Sequence, residues 1–151
     1  WFRRNLLRAV LTFVKLASRY IFTKGKLGTI SSIHFARWVL LDNGRRLLFL
    51  SNFDGSWENY LGDFIDKAAS GLTAIWSNTD GFPRSRFLIH EGAKDEKRFK
   101  AYARSSHLPT EVWYSAYKHL TVHNIWTNAK IRAGLSGPQT PQETAKWLRL
   151  F

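Results

Sequence analysis

Histidine side chains offer the most obvious metal and acid–base chemistry in this sequence of 151 residues. His119 and His123 are four residues apart, a spacing that on one helix would turn both imidazoles towards a shared metal ion. Thr121, however, is typical of a helix N-cap, so His119 is expected to precede the helix, and no third ligand is visible. The remaining histidines are His34, His90 and His107. We therefore predict no metal site and no haem ligand.

Carboxylates are the second group that could do chemistry, and they are close together in the sequence at Asp54, Glu58, Asp63 and Asp66. Asp54 and Glu58 are near the start of a predicted helix, where the helix dipole favours negative charge, so a structural role explains them. The sequence contains no Gly-rich nucleotide loop and no nucleophile elbow, and the absence of cysteine excludes thiolate chemistry. We therefore expect a non-catalytic protein that needs no cofactor.

Positive charge is concentrated at the two ends of the chain, whose net charge is +12. Residues 1–41 contain eight Lys and Arg and no acid, and residues 42–117 contain ten residues of each sign. Residues 118–151 contain five basic residues against Glu143. A neutral middle with basic ends predicts contact with an anionic partner, namely lipid headgroups, nucleic acid or an acidic protein.

The basic N-terminal segment predicts an amphipathic helix over residues 3–22. On a helical wheel Arg4, Arg8, Lys15 and Arg19 lie within about 60° of one another. The opposite face carries apolar residues, namely Leu6, Val10, Phe13, Val14, Ala17, Tyr20 and Ile21. Such a helix is typical of one that lies in a bilayer interface, although its apolar face could equally cover a sheet. The predicted electrostatic contacts are Arg3, Arg4, Arg8, Lys15, Arg19, Lys24 and Lys26. The candidate apolar contacts are Phe2, Leu6, Val10 and Phe13.

The middle of the chain predicts alternating strands and helices around a core, for which a hydrophobic fraction of 44% is ample. Asn43-Gly44 favours a tight turn between strands 32–41 and 46–53, and Ser56 is a predicted N-cap. The further predicted elements are helix 57–76, strand 84–90, helix 94–106, strand 111–117 and helix 122–133. This order predicts an α+β fold over residues 1–135. We expect a ferredoxin-like sandwich, an antiparallel sheet with helices on one face, whose first strand would precede Trp1.

Residues 136–151 are predicted to be a linker and a short C-terminal helical extension. Thr140-Pro141-Gln142-Glu143 is a capping box with proline at the first helical position. The last residues are too apolar for a solvated tail, so we predict that they dock on a partner through Trp147, Leu148, Leu150 and Phe151.

Four sequence motifs resemble a family of uncharacterised bacterial proteins related to dimeric α+β barrels. The motifs are Ile33–Trp38 (IHFARW), Leu50–Ser56 (LSNFDGS), Gly81–Arg84 (GFPR) and Val112–Tyr117 (VWYSAY). The resemblance covers roughly residues 1–135 and implies a ferredoxin-like fold. Dye-decolorising haem peroxidases share that broad fold class and carry a Gly-x-x-Asp-Gly element. Here Asp54-Gly55 is present and Ser51 occupies the position of the first glycine, so the resemblance implies the fold and no cofactor.

These observations predict an accessory or binding module that docks through its basic ends on an anionic membrane surface or a membrane protein complex. No apolar run is long enough for a membrane span, so peripheral association is expected. Homo-oligomerisation is compatible with the sequence. One alternative is a dimeric α+β-barrel enzyme with haem-dependent oxidative chemistry. The other is a single-stranded nucleic-acid binder that stacks bases on Phe35, Phe49, Trp113 and Tyr114, which the neutral middle of the chain disfavours.

Overall fold

A computed structural model describes residues 2–20 and 30–151 of the chain. These residues have a mixed α and β structure with five α-helices and two separate two-stranded antiparallel sheets. The chain divides into two compact units, residues 1–112 and residues 113–151. The predicted domain boundary after residue 135 lies inside the second unit. The strand expected before Trp1 and the predicted contacts Lys24 and Lys26 lie outside the described residues.

The first unit contains helix α1 (Phe2–Tyr20) and a β-hairpin formed by strands β1 (Ile33–Leu41) and β2 (Arg46–Phe53). The predicted hairpin turn is confirmed, because Asn43 and Gly44 adopt φ of 55° and 81°, a conformation that these two residue types tolerate best. The strands pair antiparallel, with Trp38 opposite Phe49, and the rings of these two residues lie 4.9 Å apart. Alternate residues of β2, including Phe49 and Phe53, turn towards the core.

Helix α2 (Trp57–Trp76) supplies most of the core of the first unit. Ser56 caps it as predicted, since its hydroxyl accepts a hydrogen bond of 3.2 Å from the Asn59 N–H. The helix has non-helical geometry at Ala68, where φ is −140°. Its buried side chains recur at helical spacing, as expected for a helix that covers one face of the hairpin: Tyr60, Leu61, Phe64, Ile65, Ala69 and Leu72. The Tyr60 ring stacks on Phe53 at 3.9 Å and meets Phe64 edge-on at 5.0 Å.

Burial raises the pKa of Tyr60 to about 12, and the Ser51 side chain offsets part of the effect. Because the folded pKa lies above the ordinary value of 10.0, the folded state holds this proton more tightly than the unfolded chain does. We therefore expect the first unit to lose about 2 kcal/mol of stability as pH rises from 10 to 12. Urea titrations across this range should show a smaller loss in a Tyr60→Phe variant. An equal loss in both proteins would show that Tyr60 ionisation does not govern alkaline unfolding.

The predicted third strand over residues 84–90 is wrong in extent. Strand β3 (Ser85–Arg86) turns back through Phe87 and Leu88, which adopt φ of 50° and 63°, and pairs with strand β4 (His90–Glu91). A continuous strand is not compatible with positive φ at two successive residues. The resulting short hairpin is a sheet of its own and does not extend β1–β2.

The chain after β4 returns to the core through helix α3 (Glu96–Ser105). Gly92 and Ala93 are buried there, and the Ala93 N–H donates to the hydroxyl of the fully buried Thr73 at 3.1 Å. The Asp95 carboxylate accepts from the Arg98 N–H and caps α3. Phe99 of α3 is buried in the core of the first unit, where its ring meets Phe82 edge-on at 6.0 Å.

The predicted strand over residues 111–117 is also wrong, because this segment pairs in neither sheet and its side chains are largely exposed. Within the second unit, helices α4 (Val122–Gly134) and α5 (Pro141–Leu148) both begin with capping boxes, at Thr121 and Thr140. The prediction that His119 precedes its helix is therefore confirmed. The described strands form two pairs, so one four-stranded sheet is not observed.

Candidate functional site

Helix α1 presents three different surfaces. Its buried face centres on Leu7 and Ala17, which are 4% and 6% exposed. Half-buried apolar side chains complete this face: Leu6, Val10, Leu11 and Val14. The buried face packs within the first unit, where α1 contacts α2. The amphipathic prediction is thus confirmed in part, since one apolar face covers the unit's own core.

Three of the predicted cationic contacts also attach α1 to its own unit. The Arg3 guanidinium donates a hydrogen bond to the Ser77 carbonyl at the end of α2. The Arg8 guanidinium donates to both the carbonyl and the side-chain oxygen of Asn43 at 3.2 Å, in the turn between β1 and β2. Arg4 is half-buried, and its side chain lies against Gly44 in the same turn. These arginines fix the helix to the unit, so their charge is only partly available to an external partner.

The second surface of α1 is a basic stripe formed by Arg8, Lys15 and Arg19, which are exposed and lie within about 40° on the helical wheel. Among the residues that the structure describes, Lys15 and Arg19 form no ion pair. The Arg19 guanidinium lies 5.9 Å from the Tyr20 ring. The positive charges of Lys15 and Arg19 are therefore turned outwards and are not neutralised by the unit itself, whereas the Arg8 guanidinium is also held by Asn43.

The third surface is an aromatic stripe formed by Phe2, Phe13, Leu16 and Tyr20. Phe2, Phe13 and Tyr20 are 70%, 68% and 70% exposed, and Leu16 is 51% exposed. On the wheel this stripe lies about 110° from the basic stripe, between the basic stripe and the buried face. The sequence prediction placed Phe13 and Tyr20 on the same face as Ala17, whereas the structure separates them. The sequence contains a signal for this separation in the arc of the helical wheel that apolar residues cover. That arc is about 220°, whereas one packed face needs only about 100°, so part of the apolar surface has to remain exposed.

The C-terminal docking residues have two different positions in the second unit. Trp147 packs on α4, where its indole N–H donates to the Ile131 carbonyl at 2.9 Å. The ring lies so close to Gly134 that a Cβ there would be 2.2 Å from Trp147 Cδ1. Leu150 is half-buried, whereas Leu148 and Phe151 are exposed. Trp147 therefore serves its own unit, and the surface left for a partner consists of Leu148 and Phe151.

The structure brings together one pair of titratable residues that the sequence analysis did not connect. His34 Nε2 lies 2.7 Å from Asp54 Oδ1, and both side chains are about a quarter exposed. The register of the hairpin shifts between Ile33 and Phe35, and the Asp54 N–H donates to the Ser32 carbonyl, so that His34 and Asp54 lie side by side. A carboxylate in this position orients an imidazole, which is a useful element of acid–base chemistry but is not a site without a third group.

Two of the other carboxylates near α2 form surface ion pairs, and Glu58 lies in the first turn of α2 as predicted. Glu58 binds Arg104 at 3.1 Å, and Asp63 binds Lys67 at 2.6 Å along α2. Within residues 2–20 and 30–151, no group of three or more His, Cys, Asp or Glu side chains is placed to hold a metal ion.

The aromatic residues proposed for base stacking do not act as a set. Phe49 packs against the core, where its ring meets Phe64 and Trp76 edge-on, whereas Phe35, Trp113 and Tyr114 are exposed. A stacking platform requires several rings on one accessible surface, so the loss of Phe49 weakens the nucleic-acid hypothesis.

No protein-family model, curated protein or solved structure matches this chain. In the part of the chain that the structure describes, no helix combines the length and the apolar character needed to cross a bilayer.

Proposed function

We propose that this protein is a peripheral membrane module that docks through α1 on an anionic lipid surface, alone or as an accessory part of a membrane protein complex. The observation that carries the proposal is the pair of exposed stripes on α1. The basic stripe and the aromatic stripe share one accessible side of a helix whose third face is buried in its own unit. A membrane interface offers both anionic headgroups and an apolar layer below them.

The two stripes favour lipid over the other anionic partners because they combine charge with bulky apolar side chains. Each basic residue near an anionic leaflet contributes about 1 kcal/mol, which falls with ionic strength. Phe13 and Leu16 would enter the boundary between headgroups and acyl chains, and the amphipathic Tyr20 ring suits the headgroup level. A duplex nucleic acid would use the basic stripe but would leave the aromatic stripe in water.

The proposal is tested by removing charge from the basic stripe without touching the arginines that hold the fold. We expect Lys15→Gln combined with Arg19→Gln to weaken binding to anionic vesicles by about 30-fold, since two contributions of about 1 kcal/mol are lost. Vesicle sedimentation, comparing phosphatidylserine-containing with neutral phosphatidylcholine vesicles at two salt concentrations, measures this directly.

The matched control is Lys97→Gln combined with Lys130→Gln, which removes the same charge from exposed positions on α3 and α4. This control should retain nearly all binding. If both double variants lost binding equally, only net charge would matter and α1 would not be the docking surface. If the unmodified chain did not bind anionic vesicles, the membrane proposal would be excluded.

We also propose that β1–β2 belongs to a larger, ferredoxin-like sheet. Support comes from the hairpin itself, which among the described residues is a sheet of only two strands with one face left open. Here α2 covers one face of the hairpin. The opposite face carries exposed apolar side chains, including Phe35 and Leu50.

A further inference from the structure

The segment Glu111–Tyr117, which the sequence predicts to be a strand, is the largest run of strand-forming residues left outside a sheet. Val112, Trp113, Tyr114 and Tyr117 are all strongly exposed. Valine and aromatic residues favour strands because their side chains pack well on a pleated surface. The segment therefore has the composition of a strand, but among the described residues it does not pair with another strand.

The main chain of this segment is also largely unpaired. Its C-terminal end makes one main-chain hydrogen bond, in which the Tyr117 carbonyl accepts from the Leu120 N–H. Among the described residues, no main-chain bond connects the segment to another helix or strand. Its other amide and carbonyl groups are therefore available to form a ladder with a sheet edge.

The first unit provides such an edge. Strand β1 pairs with β2 on one side, and among the described residues it has no strand neighbour on the other. The side chains of Phe35 and Arg37 point to the same exposed face of the hairpin, because they are two residues apart. This edge offers an aromatic ring and a positive charge to an incoming strand.

We infer that Glu111–Tyr117 of one copy adds as a strand to the open edge of β1 in a second copy, and that the reciprocal addition closes a symmetric dimer. The occupant is a second copy because the chain carries both the unpaired strand and the unpaired edge. Pairing places Glu111 beside Arg37, with opposite charges, and brings Trp113 and Tyr117 to the face that carries Phe35. A self-complementary contact of this kind gives a closed dimer.

Proline substitution tests the main-chain part of this interface. Only every second N–H of a strand faces a given neighbour, so Trp113→Pro and Tyr114→Pro are made separately. We expect one of them to raise the dimer dissociation constant at least tenfold and the other to act weakly, as measured by analytical ultracentrifugation without lipid. Trp113→Ala and Tyr114→Ala keep the N–H groups and provide the matched controls. A chain that is monomeric at all concentrations, or a dimer indifferent to both prolines, overturns the inference.

Charge reversal tests the partner edge independently of folding effects from proline. Arg37→Glu places two acids opposite each other and is expected to weaken the dimer, as is Glu111→Arg. The double variant Arg37→Glu with Glu111→Arg should recover most of the lost association. Additive weakening in the double variant would exclude this pairing. Because no lipid is present, these results are separate from the outcome of the vesicle experiments.

Discussion

Replacement of Phe13 and Leu16 by serine is expected to weaken binding to anionic vesicles by about 100-fold, more than removal of the two charges at Lys15 and Arg19. Full burial of such a side chain contributes about 1.5–3 kcal/mol, and partial insertion into the membrane interface contributes a part of that. For the two residues together we expect a contribution of about 3 kcal/mol to the binding free energy. Both side chains are exposed, so the substitutions should leave the stability of the first unit almost unchanged.

The matched control for this prediction is Phe87→Ser combined with Leu135→Ser, which removes one exposed aromatic and one exposed leucine from positions outside α1. Vesicle binding should be retained in the control. The Phe13 and Leu16 variant should also keep the salt dependence of the residual binding, because the basic stripe is intact. Full affinity in that variant would show that α1 touches headgroups alone and that the aromatic stripe faces another partner.

Substitution of Gly92 by alanine is expected to destabilise the first unit by about 3–4 kcal/mol. Gly92 adopts φ of 51°, and an added Cβ would lie 2.8 Å from both Phe82 Cε1 and Thr73 Cγ2. Positive φ costs an alanine about 1–2 kcal/mol, and forced displacement in a packed core costs about 1–3 kcal/mol more. Thr73 would have to move, which would also disturb its hydrogen bond with the Ala93 N–H.

Chemical denaturation of the full chain, followed by circular dichroism, measures this loss. Gly71→Ala is the control, because Gly71 is exposed in α2 and nothing lies within 4 Å of an added Cβ. Alanine in a helix interior is better than glycine by about 0.5–1 kcal/mol, so the control should be slightly more stable. If Gly92→Ala left the free energy of unfolding unchanged, the chain between β4 and α3 would be able to shift without loss of stability.

Elements with a local cause could be predicted from the sequence. The turn at Asn43-Gly44 depends on residues that tolerate positive φ, and the caps at Ser56, Thr121 and Thr140 depend on hydroxyls three residues from the N–H groups they satisfy. Helix α2 was predicted with its observed bounds because its cap and its apolar spacing agree. Each of these features is decided within a few residues, so the sequence contains the information directly.

Features that depend on distant residues were missed. The propensity of Val112–Tyr117 for a strand was real, but a strand also requires a neighbour, and propensity does not say whether one is present. Phe87 and Leu88 interrupt the predicted third strand with positive φ that their residue types do not favour. The proximity of His34 and Asp54, 20 residues apart in sequence, follows from the hairpin register.

The candidate surface on α1 was predicted in composition but not in arrangement. Arg8, Lys15 and Arg19 were identified from their spacing, and the structure places all three on one exposed side. The sequence could not show that Phe13 is exposed while Ala17 is buried, because both are apolar and the position of α2 decides between them. Helical periodicity defines neighbours on the wheel, whereas packing decides which neighbours meet water.

The attachment of α1 by its own arginines has a consequence for orientation. Arg3 ties one side of the helix to Ser77 and Arg8 ties it to Asn43, so α1 cannot roll about its axis independently of the first unit. A helix connected by a flexible hinge would let the attached unit tumble above the bilayer. Here the angle at which α1 lies on a flat surface would determine the orientation of the whole first unit. The turn that contains Asn43 would then stand at a constant angle to the plane of the lipid.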